Sequence, residues 1–173
     1  VWARVYLAVA WVCPFEGRVP SERIHSLADQ FWQAGAHELA LADTIGHASP
    51  LDVGSLCETV GRRTDMTKLA VHLHDTLALG LANASAAISA GVRMIDSSIG
   101  GLGGCPFAPG SAGNLATEDL VLMAEKMGFE TGISLEALMR AVEVAEGLIG
   151  RPLGGRTRNW WLANRASLRG EKV

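Results

Sequence analysis

Leu69-Ala-Val-His-Leu-His-Asp75 is a short, largely apolar run that carries two histidines one residue apart. Successive side chains of an extended strand point to opposite faces, so His72 and His74 share one side and Val71 and Leu73 the other. Two imidazoles on one wall suit a divalent cation, because imidazole is a common ligand for zinc, manganese, cobalt or nickel. Two hydrogen-bonded structural histidines satisfy the same spacing. The motif alone leaves both readings open, and its surroundings decide.

Outward from this run, strand and helix signals alternate. Val5 to Val12 is a continuous apolar run of strand length, and Ser21 is placed as the N-cap of a helix whose Ile24, Leu27, Ala28, Phe31 and Trp32 recur at helical spacing as far as Gly35. Glu38 to Ala42 reads as a second strand. Ser49-Pro50-Leu51-Asp52 then supplies an N-cap, a first-turn proline and a carboxylate at the positive end of a helix running to Arg63. Lys68 to His74 is the third strand, followed by an alanine-rich helix from Leu77 to Ala90. Arg93 to Ile99 is the fourth, followed by a long glycine-rich loop. Thr117-Glu118-Asp119 opens a helix to Met127, and Ser134 caps a last one through Ile149, stopped by Gly150 and Pro152.

Alternation about every 30 residues is the period of βαβ units and predicts an α/β fold with a parallel sheet. Four such units are too few to close an eight-stranded barrel, yet the strands read as buried on both faces. An N-terminal half or a second copy is therefore expected to complete the sheet, and the opening Val1, close to a strand, reads as the start of a fragment. Residues 1–150 are expected to form the half-barrel. Residues 151–173 form a tail that holds six of the fifteen basic residues beside Trp160 and Trp161 and is expected to be solvated or packed at an interface.

With 173 residues, 49% hydrophobic content and a net charge of −3, the chain has the proportions of one globular domain. The mild acidity argues against nucleic-acid binding. No apolar run approaches the roughly 18 residues of a membrane span, and no signal-peptide pattern opens the chain, so a cytoplasmic location without membrane association is expected. Three cysteines, Cys13, Cys57 and Cys105, lack paired spacing and read as free thiols.

Active sites of parallel α/β folds lie at the carboxyl ends of the strands. Collected there are Cys13, Asp43-Thr44, His72, His74 and Asp75, Asp96-Ser97-Ser98, and the loop from Gly100 to Asn114. The loop lacks the lysine-serine ending of a phosphate-binding P-loop and the spacing of a dinucleotide fingerprint, and reads instead as a lid hinged on Gly100, Gly101, Gly103 and Gly104. Within it Cys105 is either an ordinary thiol or one whose pKa is lowered by the rim. Asn114 either offers an amide oxygen as a ligand or caps the following helix.

Val71-His-Leu-His-Asp-Thr76, Leu41-Ala-Asp-Thr-Ile-Gly46, Cys13-Pro-Phe-Glu-Gly17 and the whole loop from Asp96 to Asp119, with its Gly-Gly-Cys-Pro core, together resemble the 3-hydroxy-3-methylglutaryl-CoA lyase family up to about Pro152. Isopropylmalate and homocitrate synthases share the His-x-His strand but lack that loop. The resemblance implies a (β/α)8 TIM barrel of which this chain is the second half, strands five to eight. It implies a magnesium or manganese ion held by His72, His74 and Asn114, and Cys105 as the active-site loop cysteine.

The reaction implied is metal-dependent cleavage of 3-hydroxy-3-methylglutaryl-CoA to acetyl-CoA and acetoacetate, as in leucine degradation and ketone-body formation, mitochondrial in a eukaryote. Cys105, with His72, is the candidate for proton transfer, and Asp43 and Asp75 are candidates to orient the ligating imidazoles. The family's further aspartate ligand and neighbouring arginine, both from the first barrel strand, have no counterpart in these residues. Two other readings stand beside the lyase. One is a non-catalytic half-barrel that forms a homo-oligomer through its open sheet edges, and the other is a related acyl-CoA lyase or synthase for a different acid.

Overall fold

The computed structural model describes residues 1–104 and 113–168. In chain order they form strands β1 (Arg4–Leu7), β2 (Val12–Cys13) and β3 (Gly17–Arg18), helix α1 (Ser21–Gln33), β4 (Glu38–Asp43), α2 (Pro50–Arg63), β5 (Leu69–Leu73), α3 (Gly80–Ser89), β6 (Met94–Asp96), and helices α4 (Thr117–Lys126), α5 (Leu135–Ile149) and α6 (Arg156–Leu168). Cys105 lies outside the described residues. The described residues divide into two compact units, residues 1–96 with 103–104 and 113–115, and residues 97–102 with 116–168.

The first unit is the α/β part. Its parallel sheet has the order β1-β4-β5-β6, each strand pairing with the next in sequence of the three βα steps, and a small β2-β3 hairpin fills the loop after β1. The register places Leu7 beside Leu41, Leu41 beside Val71, and Leu39 beside Leu69. These leucines and valines are all but sealed from solvent. Helix α1 packs on β1 and β4, α3 packs on β5, and α2 lies between the two helices. Helix α2 begins as its sequence dictates, with the Ser49 hydroxyl accepting from the Asp52 N–H and Pro50 in the first turn.

The opposite face is less buried than the two-face-buried strands expected from sequence, with Tyr6 half exposed. The alternate positions read Arg4 and Tyr6 on β1, Glu38, Ala40 and Ala42 on β4, Ala70 and His72 on β5, and Met94 and Asp96 on β6. Tyr6 donates to Asp96 at 2.7 Å and Arg4 to the same carboxylate at 2.9 Å, although β1 and β6 are three strand spacings apart. Three spacings of a flat sheet would be about 14 Å. The sheet therefore curls, and alanines at 40 and 70 leave room for the long side chains of β1 to cross its inner face.

Several boundaries move for local reasons. The first strand ends at Leu7 rather than Val12, because the chain turns at Val9, whose φ is 49°, and ties its N–H to the Thr44 hydroxyl at 2.8 Å. Ser21 is the first residue of α1, with Pro20 in the cap position, so it does not serve as the N-cap. Helix α3 starts at Gly80 rather than Leu77, since Ala78 adopts a φ of 57° and Asp75 accepts from the Gly80 N–H. The fourth strand is confined to residues 94–96.

The second unit is helical. Helix α5 is capped at Ser134 and closed by Gly150 in the left-handed conformation, as expected. Within the basic tail, Arg156–Leu168 form a helix, α6, which contacts α4. Glu118, fully buried in the first turn of α4, accepts from the N–H of Gly100 at 3.1 Å and of Gly155 at 2.8 Å, while Asp119 accepts from the N–H of Arg156 and Thr157. Arg158 is buried and donates to Glu146 at 2.6 Å.

Candidate metal centre

Strand β5 ends at Leu73, and the chain continues past it in partnership with residues 113–115. Leu115 donates its N–H to the Leu73 carbonyl at 3.0 Å, Asp75 donates to the Gly113 carbonyl at 3.2 Å, and His74 and Asn114 form an antiparallel bridge. The sequence places His74 and Asn114 forty residues apart in the chain. The fold sets them opposite each other. Gly103 passes against this bridge with a φ of +112°, and a side chain there would run into the Asn114 amide.

His72 and His74 lie side by side, with ring centroids 5.3 Å apart. His74 is 6% exposed, and its Nδ1 is buried without a hydrogen-bond partner among the described residues. A buried nitrogen left unmatched costs free energy of about 1–3 kcal/mol. Burial, followed by the neighbouring His72, holds the His74 pKa below its ordinary value. The ring is thus kept in the neutral form a metal needs. Two imidazoles and the Asn114 amide are a donor set of intermediate hardness, which fits a divalent cation. No group of three His, Cys, Asp or Glu side chains that could hold a metal ion is found among the described residues, so a cation here would need the Asn114 amide beside the two imidazoles.

His72 faces a second set of groups. Its Nδ1 stands 3.5 Å from Asp96 Oδ2, the oxygen that also accepts from the Tyr6 hydroxyl. Tyr6 and His72 meet edge to face with centroids 6.2 Å apart. Arg4 bridges Asp96 and Glu38, donating to Glu38 at 2.7 Å. The His72 contact, then Tyr6 and Arg4, hold the Asp96 carboxyl below the usual carboxylate range, against its burial. The bond to Tyr6 and the two carboxylates hold the Arg4 guanidinium firmly charged.

The two aspartates expected to orient the imidazoles have other partners. Asp43 is buried and accepts from the N–H of His47 at 3.0 Å and Ala48 at 3.1 Å, and burial raises its pKa. Asp75 accepts from Gly80 at 2.7 Å. Each holds the loop that leads into the next helix. Asp96 is collected at the strand ends from sequence but given no role there, and Tyr6 and Arg4 are given none either. The available signal was period two: Arg4 and Tyr6 alternate with Val5 and Leu7, so one face of that strand is polar.

The HMGL-like family profile matches residues 4–145, most of the chain. The chain belongs to the HMGL-like family. It is 43% identical over 153 residues to the hydroxymethylglutaryl-CoA lyase YngG of Bacillus subtilis, covering 88% of this chain and 51% of that protein. It is 44% identical over 149 residues to the (R)-citramalyl-CoA lyase of Chloroflexus aurantiacus, covering 86% and 47%. An HMG-CoA lyase of Acinetobacter baumannii, solved in complex with coenzyme A and 3-methylmalate, superposes with a TM-score of 0.84 at 39% identity over 88% of this chain and 50% of that one. The chain spans about half the length of the HMGL-like relatives it matches. Its parallel α/β sheet corresponds to part of their TIM barrel. No helix among the described residues is long and apolar enough to cross a membrane.

Proposed function

We propose that this chain supplies the strand-five-to-eight half of a metal-dependent lyase that cleaves 3-hydroxy-3-methylglutaryl-CoA to acetyl-CoA and acetoacetate. The observation that carries the proposal is the buried, unmatched Nδ1 of His74 beside His72 and opposite Asn114. His72, His74 and Asn114 would hold the cation, magnesium or manganese. When bound, it supplies Lewis-acid polarisation of substrate oxygens.

The bond to be broken joins C2 and C3 of the acyl group. The tertiary hydroxyl gives up its proton to a general base, the O–H electron pair forms the ketone of acetoacetate, and the C2–C3 pair passes to the thioester as an enolate, which takes a proton at carbon to give acetyl-CoA, so one proton is removed and one returned. Cys105, at the centre of the glycine loop, is the chain's own candidate to deliver that proton. Asp43 and Asp75 act one step removed, by holding the rim loops through their amides. The open edges of β1 and β6 are the places where the complementary half of the barrel, or a second copy, would pair.

The test is Mn2+ binding by the 173-residue chain, together with turnover. Binding is expected for the wild type and is expected to disappear in His74→Ala; turnover of 3-hydroxy-3-methylglutaryl-CoA is expected only with a complementary barrel half added. A wild-type chain without Mn2+ affinity overturns the proposal. The 44% identity to a citramalyl-CoA lyase supports a second substrate reading. Preferential turnover of (R)-citramalyl-CoA by the completed barrel would select it.

A further inference from the structure

We propose that Asp96 is the positioning residue of the centre: it accepts a hydrogen bond from His72 Nδ1 and thereby presents His72 Nε2 to the cation. The inference rests on the metal reading above and goes beyond it by assigning the orientation of one ring. Asp96 is the β6 partner of His72, so both side chains leave the sheet on the same face from adjacent strands. At 3.5 Å, His72 Nδ1 and Asp96 Oδ2 stand in ion-pair contact just beyond hydrogen-bond range, and the assigned bond requires them to close by a few tenths of an ångström, as site hydrogen bonds that are long in unliganded structures do.

Asp96 is itself held. Tyr6 donates to the oxygen nearest His72, and Arg4 donates to the other oxygen while sharing its charge with Glu38. The carboxylate is therefore held by two donors besides the imidazole, one on each oxygen. The other carboxylates of the rim are engaged elsewhere. Asp43 and Asp75 accept from loop amides, so each has a defined structural task in this unit.

A ring whose Nδ1–H is directed at a carboxylate keeps a lone pair on Nε2, and the partner of the second nitrogen is what selects the tautomer of a ligating histidine. With one nitrogen directed at Asp96 and the other at the cation, the His72 ring is held in a single orientation.

Nitrogen-15 NMR of histidine-labelled protein reads the tautomer directly in the metal-free chain, and Mn2+ titration followed by electron paramagnetic resonance reads affinity. The wild type is expected to carry the His72 proton on Nδ1. Asp96→Asn is expected to lose that preference and about 10- to 100-fold in Mn2+ affinity. Tyr6→Phe, which keeps the carboxylate and removes one of its anchors, is expected to lose less than tenfold and to broaden the His72 signals; it serves if Asp96→Asn does not fold.

A wild-type His72 protonated on Nε2 overturns the assignment, as does either variant folding with tautomer and affinity both unchanged. A wild type that binds no Mn2+ overturns the metal reading instead, and the tautomer still decides the role of Asp96.

Discussion

The two faces of the same sheet obey different rules. On the helix-covered face, Leu39, Leu41, Leu69, Val71 and Leu73 are sealed and interchangeable in kind, because burial of apolar area has no direction. On the inner face, Arg4, Tyr6, Glu38, His72 and Asp96 form bonds of defined length and donor, and any one of them replaced leaves a partner unmatched. One face gives stability that is broadly tolerant of sequence, and the other gives an orientation that is not. The strand β5 carries both, residue by residue.

Substitutions on β5 test this division most strongly. Leu73→Ala removes a fully buried side chain from the helix-covered face and is expected to cost about 2–5 kcal/mol in denaturant unfolding. Its neighbour behaves oppositely. His74→Leu removes the buried, unmatched nitrogen, so the metal-free chain is expected to gain about 1 kcal/mol while Mn2+ binding is abolished. A loss of stability in that variant would show that His74 has a structural partner in solution and would narrow the contrast between the faces.

Smaller effects sharpen the picture at the helix layer. Ser49→Ala removes the cap of α2 and is expected to cost about 1 kcal/mol, with Mn2+ affinity unchanged. Cys57, buried in the same helix, has its thiol pushed up from 9.0 to about 12 by burial. The folded chain keeps that proton at pH values where the unfolded chain loses it, so stability declines as pH rises above about 9, toward 12. The decline should be shallower in Cys57→Ala. In the native wild type at pH 8, peptide mapping after alkylation is expected to find Cys13 modified and Cys57 protected, until denaturant exposes it.

Where a feature depends on neighbours in sequence, it was legible. Ser49-Pro50-Leu51-Asp52 specifies a helix start from within four residues, and Ser134 and Gly150 bracket α5 in the same way. The parallel α/β order followed from the alternation of apolar runs and amphipathic segments. The end of β1 did not follow, because the turn at Val9 is held by Thr44, thirty-five residues on. The helical tail was hidden for a similar reason: Arg158 looks like one more solvated charge until Glu146 is brought beside it.

At the metal centre, the pairing of His72 with His74 is a matter of strand period, and it was readable. Asn114 could be named, but its position opposite His74 required the bridge that residues 113–115 make with 73–75. The place of Asp96 needed more: a parallel register and a curl tight enough to bring β1 side chains onto β6. Neither is encoded in any local pattern, which is why Asp43 and Asp75, closer to the histidines or to a strand end, looked like the better carboxylates.

The Arg4–Asp96 contact joins residues 92 positions apart and spans almost the whole first unit. A contact of that separation closes only after the intervening strands have found their register, since the loop-closure entropy must be met by the pairings between them. Strands β1 and β6 come within reach of each other only when β4 and β5 already lie between them in a curved sheet. The carboxylate that aims His72 is therefore among the last groups to be locked during folding, and a chain emerging from synthesis acquires a correctly directed imidazole only once its fourth sheet strand is in place.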